Sequence, residues 1–252
     1  MKDKNQKILS TILPIITVGA IIVLWSVASA VVDSEYVLPS VPATFSALIN
    51  LFGDKTFYVA FLMTLLRTVI AFISSLIISF VLALLSKRYP TSKKVISTLV
   101  SITRALPTVA VVLLLLFWTN SFVAPIIVTM LVVLPTLYTN IFNSLGSVKD
   151  DLLEMCDFYG VKKIDALKKV SIPIIMPSML LAIGSGFALN LKLMVAAEVL
   201  SATANSIGGK LSYANYNLEI ATMIGLVLIT VVVAVLIESI FSLLSKKAGK
   251  WE

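Results

Sequence analysis

The chain has 252 residues, of which 59% are hydrophobic and only 13% are charged. In soluble globular proteins about a quarter of the residues are charged, so this composition excludes a soluble domain and indicates a membrane protein. The chain contains no histidine, which excludes a Ser-His-Asp triad and an HExxH zinc site. Its single cysteine, Cys156, excludes an internal disulfide, and no pair of catalytic carboxylates or set of metal ligands stands out.

Apolar stretches in chain order predict an all-α, polytopic fold with about six transmembrane helices, since a bilayer takes about 20 apolar residues to cross. The predicted spans are residues 8–32, 57–85, 95–118, 122–142, 174–199 and 221–244. Residues 41–52 follow Pro39 and predict a short amphipathic helix at the outer membrane interface.

The distribution of lysine and arginine predicts the orientation. Fifteen of the 20 basic residues fall at the N-terminus, in residues 86–94, in the stretch 147–172 and in the C-terminal tail. Only Lys55 and Lys210 fall on the opposite side. Because lysine and arginine stay on the cytoplasmic side of short loops, both termini are predicted to be cytoplasmic. The net charge of +7 then reflects topology and contact with anionic lipid, and gives no reason to expect nucleic acid.

The long polar stretch between the fourth and fifth spans, residues 147–173, reads SVKDDLLEMCDFYGVKKIDALKKVSIP and predicts two short helices. The first helix is predicted to begin at Ser147, an N-cap residue with Asp150 three positions later, and to end at Gly160. The second holds Asp165 four residues before Lys169, the favourable order for an ion pair. Pro173 is predicted to end it where apolar sequence resumes.

This stretch resembles the EAA loop of ATP-binding-cassette (ABC) importer permeases. The pattern of that loop is E-A-A, three residues, glycine, nine residues and I-x-L-P, and Glu154, Gly160 and Pro173 occupy the corresponding positions. The replacements within the pattern are all apolar: Met155, Cys156, Val170 and Ile172.

The resemblance implies that the chain is a transport subunit, not an enzyme, with the type I importer permease fold. In that family the EAA helix inserts into a groove on a separate ATPase, whose dimer binds ATP and magnesium. The residues that would couple to it are Asp151, Glu154, Met155, Cys156, Gly160 and Pro173. The resemblance also implies a second permease copy, most simply an identical chain, and an extracytoplasmic substrate-binding protein.

This chain itself is predicted to bind no cofactor. The nearest match to the phosphate-binding motif G-x-x-x-x-G-K-[ST] is Gly208-Gly209-Lys210. It lacks the glycine five positions before Gly209, and it has Leu211 where serine or threonine would bind magnesium.

Two further segments resemble the nitrate-, sulfonate- and taurine-type subgroup. Residues 36–40 read Y-V-L-P-S, with Val41 where the subgroup has its second proline. Residues 190–199 read N-L-K-L-M-V-A-A-E-V, close to an aromatic-Lys…A-A-E-V pattern with Leu191 in the aromatic position. This resemblance implies a small polar or anionic cargo, such as a sulfonate, nitrate, a taurine-like solute or a vitamin precursor.

The fifth span carries small and polar residues on one face. Ala182, Gly186 and Asn190 lie four residues apart, a spacing that lets helix backbones approach closely. They either pack inside the subunit or form a subunit interface around a translocation path. Lys192 is predicted to line a cavity at that interface, because a charge facing lipid is costly.

Arg67 and Arg104 are the other cations within predicted spans. Each either extends to the interface or pairs with a carbonyl or with Glu238, or else contributes to an electropositive vestibule for an anion. The residues predicted to lie along the substrate path are Arg67, Arg104, Asn190, Lys192 and Glu198.

The predicted organisation is an N-terminal helix and outer segment at 1–56, a transmembrane domain at 57–245 containing the loop 147–173, and a basic cytoplasmic tail at 246–252. A multi-pass protein of the cell membrane is expected. A secondary transporter or a channel is the alternative, but inverted halves, carboxylates in the spans or a filter motif would then be expected. A membrane-embedded enzyme would need clustered catalytic groups.

Overall fold

The computed structural model describes residues 2–249, with the side chains of residues 2–12, 14 and 15 outside the described part. Every regular element in this part of the chain is helical. The helices are α1 (Lys2–Val32), α2 (Val41–Gly53), α3 (Lys55–Arg88), α4 (Pro90–Ala105), α5 (Thr108–Trp118), α6 (Val123–Leu145), α7 (Asp150–Phe158), α8 (Lys163–Ala166), α9 (Ile172–Leu200), α10 (Ile207–Tyr216) and α11 (Ile220–Ala248). A π-helical turn, Leu167–Ser171, joins α8 to α9.

The predicted all-α membrane fold is confirmed. Four helical runs are long and apolar enough to cross a bilayer, namely α3, α6, the continuous run Lys163–Leu200 and α11, and the bent pair of α4 and α5 supplies a fifth span. The first predicted span, 8–32, lies within α1, but part of it is outside the described side chains. The described apolar part, Ile16–Val32, is shorter than a full span.

The third span is bent, which corrects the prediction of one helix over 95–118. The chain leaves helical geometry at Leu106 (φ −68°, ψ 127°) and Pro107, and the axes of α4 and α5 differ by 93°. Pro107 has no amide hydrogen, and its ring disfavours helical geometry in the residue before it. The axis therefore turns at this point.

Pro173 does not end a helix, contrary to prediction. The helix runs without interruption from Lys163 to Leu200. In the π-helical turn the Ile172 amide donates to the Leu167 carbonyl, five residues back. The wider turn accommodates the proline at the start of α9, where its missing amide hydrogen costs little.

The contacts group the chain into two compact units. One comprises Met1–Tyr58 and Lys210–Ile229, and the other Val59–Gly209 and Thr230–Glu252. The predicted boundaries at residues 56 and 245 stay a prediction.

The core of the larger unit forms where α6 packs against α4, α5 and α9. Its buried side chains include Phe72, Val100, Val133, Leu137 and Ile141. Hydrogen bonds tie α3 to α6: the Ser79 hydroxyl donates to the Leu134 carbonyl at 3.0 Å, and the Ser86 and Tyr138 hydroxyls lie 2.9 Å apart. These bonds satisfy polar groups that face other helices within the membrane-spanning region.

Glycines allow α9 to approach its neighbours. A Cβ built on Gly186 would lie 2.6 Å from Leu137 Cδ2, and one on Gly184 would lie 2.5 Å from Phe241 Cβ. Ala182, Gly186 and Asn190 are all buried inside this subunit. The face of small residues therefore packs within the subunit, the first of the two predicted alternatives.

In the smaller unit, the short helix predicted at 41–52 is confirmed as α2. The Ser40 hydroxyl caps it by accepting from the Ala43 amide at 3.3 Å. The Trp25 indole donates to the Pro39 carbonyl at 3.0 Å, which ties the end of α1 to the turn before α2.

Asp54, between α2 and α3, accepts hydrogen bonds from the backbone and hydroxyl of Thr56 and from the Lys210 ammonium at 2.9 Å. These bonds, that from the Thr56 hydroxyl foremost, lower the pKa of Asp54 to about 2. Lys210, the lysine of the loop that resembles a phosphate-binding motif, is thus held in an ion pair with Asp54.

Candidate functional site

Two groups of the predicted functional residues lie at opposite ends of the helical run Lys163–Leu200. Near its C-terminal end is a buried polar cluster that includes Arg67 and Glu198. Before its N-terminal end is the exposed helix α7 with Gly160. A helix of that length spans about 57 Å, so these are separate sites.

The buried cluster is centred on an ion pair between α3 and α9. Arg67 Nη1 lies 2.9 Å from Glu198 Oε1, and the two side chains are 2% and 0% exposed. Removing either charge from water costs several kcal/mol, so each requires the other. Arg67 therefore pairs with an acid, but with Glu198 rather than the predicted Glu238, which is exposed.

Glu198 is held by further donors. The Thr64 hydroxyl donates to Glu198 Oε2 at 2.8 Å, and the Gly208 amide donates to the same oxygen at 3.3 Å. The Ile207 amide donates to the Thr64 hydroxyl at 2.9 Å. The carboxylate thus lies at the N-terminus of α10, where the helix dipole favours negative charge.

Two glycines make this arrangement sterically possible. A Cβ on Gly208 would lie 2.3 Å from Glu198 Cβ and 2.6 Å from the Val199 nitrogen, and one on Gly209 would lie 2.2 Å from the Thr203 carbonyl oxygen. Since a backbone atom cannot move aside as a side chain can, both positions require glycine. The Gly-Gly pair that resembles a phosphate loop is thus explained by close packing.

Other residues of the larger unit surround the rest of the Arg67 guanidinium. Its Cζ lies 4.6 Å from the centroid of the Phe122 ring, and Nη2 donates to the Ala204 carbonyl at 3.5 Å. Among the described residues, Arg67 Nε is buried without a hydrogen-bond partner. The ion pair therefore joins α3, α9, the start of α10 and the turn before α6.

The other three residues of the predicted substrate path lie apart from this ion pair. Asn190 is buried, and its Nδ2 donates to the Thr68 carbonyl at 2.7 Å. Arg104 is exposed and donates to the Pro135 carbonyl at 3.1 Å and the Thr139 hydroxyl at 2.6 Å. Lys192 is exposed on α9. The structure does not bring all five residues together, and their contact with a substrate stays a prediction.

Helix α7 begins at Asp150, with Lys149 as N-cap and no side-chain cap. The predicted Ser147 cap is wrong, because the Ser147 hydroxyl donates to the Ser144 carbonyl at 2.6 Å and so extends the end of α6. Asp150 and Asp151 lie in the first turn, where they complement the helix dipole.

The predicted glycine corner is confirmed. Gly160 has φ +70°, a conformation that costs glycine nothing and other residues more. Its amide donates to the Asp157 carbonyl, and the Val161 amide donates to the Cys156 carbonyl at 2.9 Å. These two bonds form a Schellman motif, which ends the helix and turns the chain.

None of the residues of α7 is buried, and the end of the helix presents aromatic side chains to solvent. Phe158 and Tyr159 are 85% and 74% exposed, with ring centroids 5.5 Å apart and planes at 90°. Met155 is 55% exposed, Glu154 and Asp151 are exposed, and Cys156 is partly buried. Past the corner, the predicted pair of Asp165 and Lys169 is confirmed at 3.3 Å.

Sequence reasoning missed Thr64, Phe122, Gly208 and Gly209 as parts of the buried cluster. Thr64 precedes Arg67 by three residues and so lies on the same face of the helix. This spacing could have indicated that Thr64 belongs to the cluster. Nothing in the sequence pairs Phe122 with Arg67, because only the tertiary fold brings the turn before α6 next to α3.

The ion pair predicts a specific pattern of stabilities. Removing one partner leaves an uncompensated buried charge, so Glu198→Ala is expected to lower the free energy of unfolding by about 3–5 kcal/mol. The double variant Arg67→Met/Glu198→Met replaces both charges by apolar groups, so its free energy of unfolding is expected to fall much less. Melting curves of the purified protein would measure this, with Glu238→Ala as the control for an exposed carboxylate. Additive losses in the double variant would contradict the pairing.

A family model and a curated protein match the sequence of this chain. The family model described as binding-protein-dependent transport system inner membrane component matches residues 75–250, well over half of the chain. A curated ABC transporter permease protein of Methanocaldococcus jannaschii is 25% identical over 200 residues, which cover 77% of this chain and 74% of that protein.

Solved structures share the fold. A chain in the crystal structure of an amino acid ABC transporter with histidines has a TM-score of 0.64 at 19% identity, covering 76% of this chain and 94% of that one. A chain of the MetNI methionine ABC transporter, in inward-facing conformations, has a TM-score of 0.59 at 17% identity, covering 74% and 93%. With the family match over most of its length, the chain belongs to the binding-protein-dependent transport system inner membrane components, the permeases of ABC importers.

Proposed function

We propose that this permease subunit forms half of a substrate path across the cell membrane and couples it to a separate ATPase dimer through α7 and the Gly160 corner. Two identical chains would complete the path, and an extracytoplasmic binding protein would deliver the substrate. ATP and magnesium would be bound by the ATPase alone.

The observation that carries this proposal is an exposed helix, α7, whose C-terminal end presents apolar side chains to solvent. Phe158, Tyr159 and Met155 expose their side chains to solvent, although aromatic residues and methionine are typical of buried interface cores. The acidic residues Asp151 and Glu154 are exposed on the same short helix. A cytosolic groove with apolar walls and a basic rim would complement such a surface.

We further propose a small polar or anionic cargo, of the kind that the nitrate-, sulfonate- and taurine-type subgroup carries. Lys192 supports this proposal, because it is exposed on a membrane-spanning helix, eight residues before the helix ends at Leu200, and a cation facing only lipid there would be costly. The structural relatives belong to an amino acid transporter and a methionine transporter, and such cargo carries a carboxylate. Arg67 gives no such support, because Glu198 already neutralises it.

The corner at Gly160 gives the first test of coupling. No atom lies within 4 Å of a Cβ at this position, so a substitution acts through the positive φ and not through a clash. Gly160→Val should strain the corner by about 1–2 kcal/mol and reduce both copurification of the ATPase and substrate-stimulated ATP hydrolysis. Gly160→Asn is the matched control, since asparagine tolerates this conformation, and it should retain most of both.

Wild-type values for Gly160→Val would remove the corner from the coupling mechanism. If Glu154→Lys also copurified and hydrolysed ATP normally, α7 would not be the docking helix. Helical content and melting temperature of the permease serve as controls for folding.

The exposed cation on α9 gives a test of the substrate path. Lys192→Met keeps the length of the apolar side chain and removes the charge, so uptake of an anionic substrate is expected to fall at least severalfold with normal expression and assembly. Lys192→Arg, which keeps the charge, should retain uptake. Wild-type transport by Lys192→Met would place the path elsewhere.

The orientation can be tested with two exposed positions in a Cys156→Ser background. Ala204 lies in the turn after α9, and Lys163 lies at the start of α8. With both termini cytoplasmic, Ala204→Cys should react with a membrane-impermeant thiol reagent in whole cells, and Lys163→Cys should react only after lysis. The reverse pattern would overturn the proposed topology.

A further inference from the structure

A groove opens between the start of α9 and the end of α11, within the larger unit. Its volume is about 500 Å³. One rim carries Lys168 and Lys169, the floor is formed by Val170, Pro173, Ile174 and Pro177, and the last turn of α11 forms the opposite wall. Of the residues that line the groove, the proposed coupling involves Pro173 alone, and it gives no role to the combination of a cationic rim and an apolar floor.

A hydrogen bond fixes the distance between the two walls. The hydroxyl of Ser245 on α11, itself nearly buried, donates to the carbonyl of Pro177 on α9 at 2.8 Å. The carbonyl is four residues beyond Pro173, and both proline rings face the groove. The groove is therefore a fixed feature of these two helices, because the hydrogen bond between Ser245 and Pro177 joins its walls.

The groove lies where the membrane-spanning segments meet polar sequence. The apolar stretch of α9 begins at about Ile174, and α11 ends in Lys246 and Lys247. The two rim lysines precede that apolar stretch by five residues or more, so we expect them at the level of the lipid headgroups. The floor extends from there toward the hydrocarbon region.

The charges around the rim favour an anion. Among the described residues, the carboxylate paired with a rim lysine is that of Asp165, which lies 3.3 Å from Lys169 Nζ. Lys168 is exposed and has no ion-pair partner in that part of the chain. One unit of positive charge at the rim is thus uncompensated, and it faces the apolar floor.

We propose that this groove binds an anionic phospholipid, with its phosphate at Lys168 and Lys169 and one acyl chain along Val170, Ile174 and Pro177. Basic pockets between membrane helices on the cytoplasmic side bind such headgroups, and lysine suits phosphate as a point charge. A soluble phosphate would leave the apolar floor unused. The lipid would stabilise the junction of α9 and α11, next to the loop that holds α7.

The test uses the purified full chain without any ATPase, so its outcome is independent of the coupling proposal. Binding of dioleoyl phosphatidylglycerol is measured by native mass spectrometry and by titration in phosphatidylcholine nanodiscs. Lys168→Gln is expected to weaken binding about fivefold, and Lys168→Gln/Lys169→Gln between about fivefold and thirtyfold. Lys162→Gln/Lys163→Gln removes two exposed lysines from the same loop but outside the groove, and should change binding less than twofold.

Three outcomes would overturn the proposal. Equal losses in the two double variants would indicate a diffuse charge effect. Displacement of the lipid by glycerol 3-phosphate at similar concentrations would indicate a site for free phosphate. Unchanged lipid binding by Lys168→Gln would show that the charge on the rim does not hold the lipid.

Discussion

The buried ion pair between Arg67 and Glu198 is the constraint on which the larger unit depends. Two charges in the interior of a membrane-spanning protein are stable only when each neutralises the other and most of the remaining polar atoms are satisfied. That requirement fixes the facing positions of α3 and α9, places the N-terminus of α10 against the carboxylate and brings Phe122 over the guanidinium. The pair also fixes what the site can do, because a neutralised arginine offers no net charge to a passing anion.

A second constraint is the continuity of the helix from Lys163 to Leu200. Because the π-helical turn absorbs Pro173, no break separates the loop that carries α7 from the buried ion pair. A rigid helix transmits displacement along its axis, whereas α4 and α5 bend at Pro107 and cannot. The proposed coupling would therefore act through one uninterrupted helix, which begins at Lys163 just after the Gly160 corner and ends at Leu200 beside the buried ion pair.

Local sequence patterns predicted the family and the corner at Gly160 correctly. The Glu154, Gly160 and Pro173 spacing indicated the permease family, and the family match agrees. Gly160 was predicted to form a corner because a helix end needs a residue that tolerates positive φ, and the Schellman motif has that residue there. The same reasoning failed for Ser147 and Pro173, since a capping residue or a proline acts only if the chain begins or ends a helix there. Here α6 extends past Ser144, and a π-helical turn precedes Pro173.

The sequence by itself determined the membrane class, most of the membrane-spanning helices and the family, because apolar length and the spacing of a local motif can be read along the chain. The tertiary structure alone decided the partners of the intramembrane charges. Arg67 and Glu198 are 131 residues apart in the chain, and no periodicity relates positions on different helices. Gly208 and Gly209 illustrate the same limit: their spacing resembles a phosphate-binding loop, but their role follows from the atoms of Glu198, Val199 and Thr203 that pack against them. Local rules specify which helices form, and the need to satisfy buried charge decides how they pair.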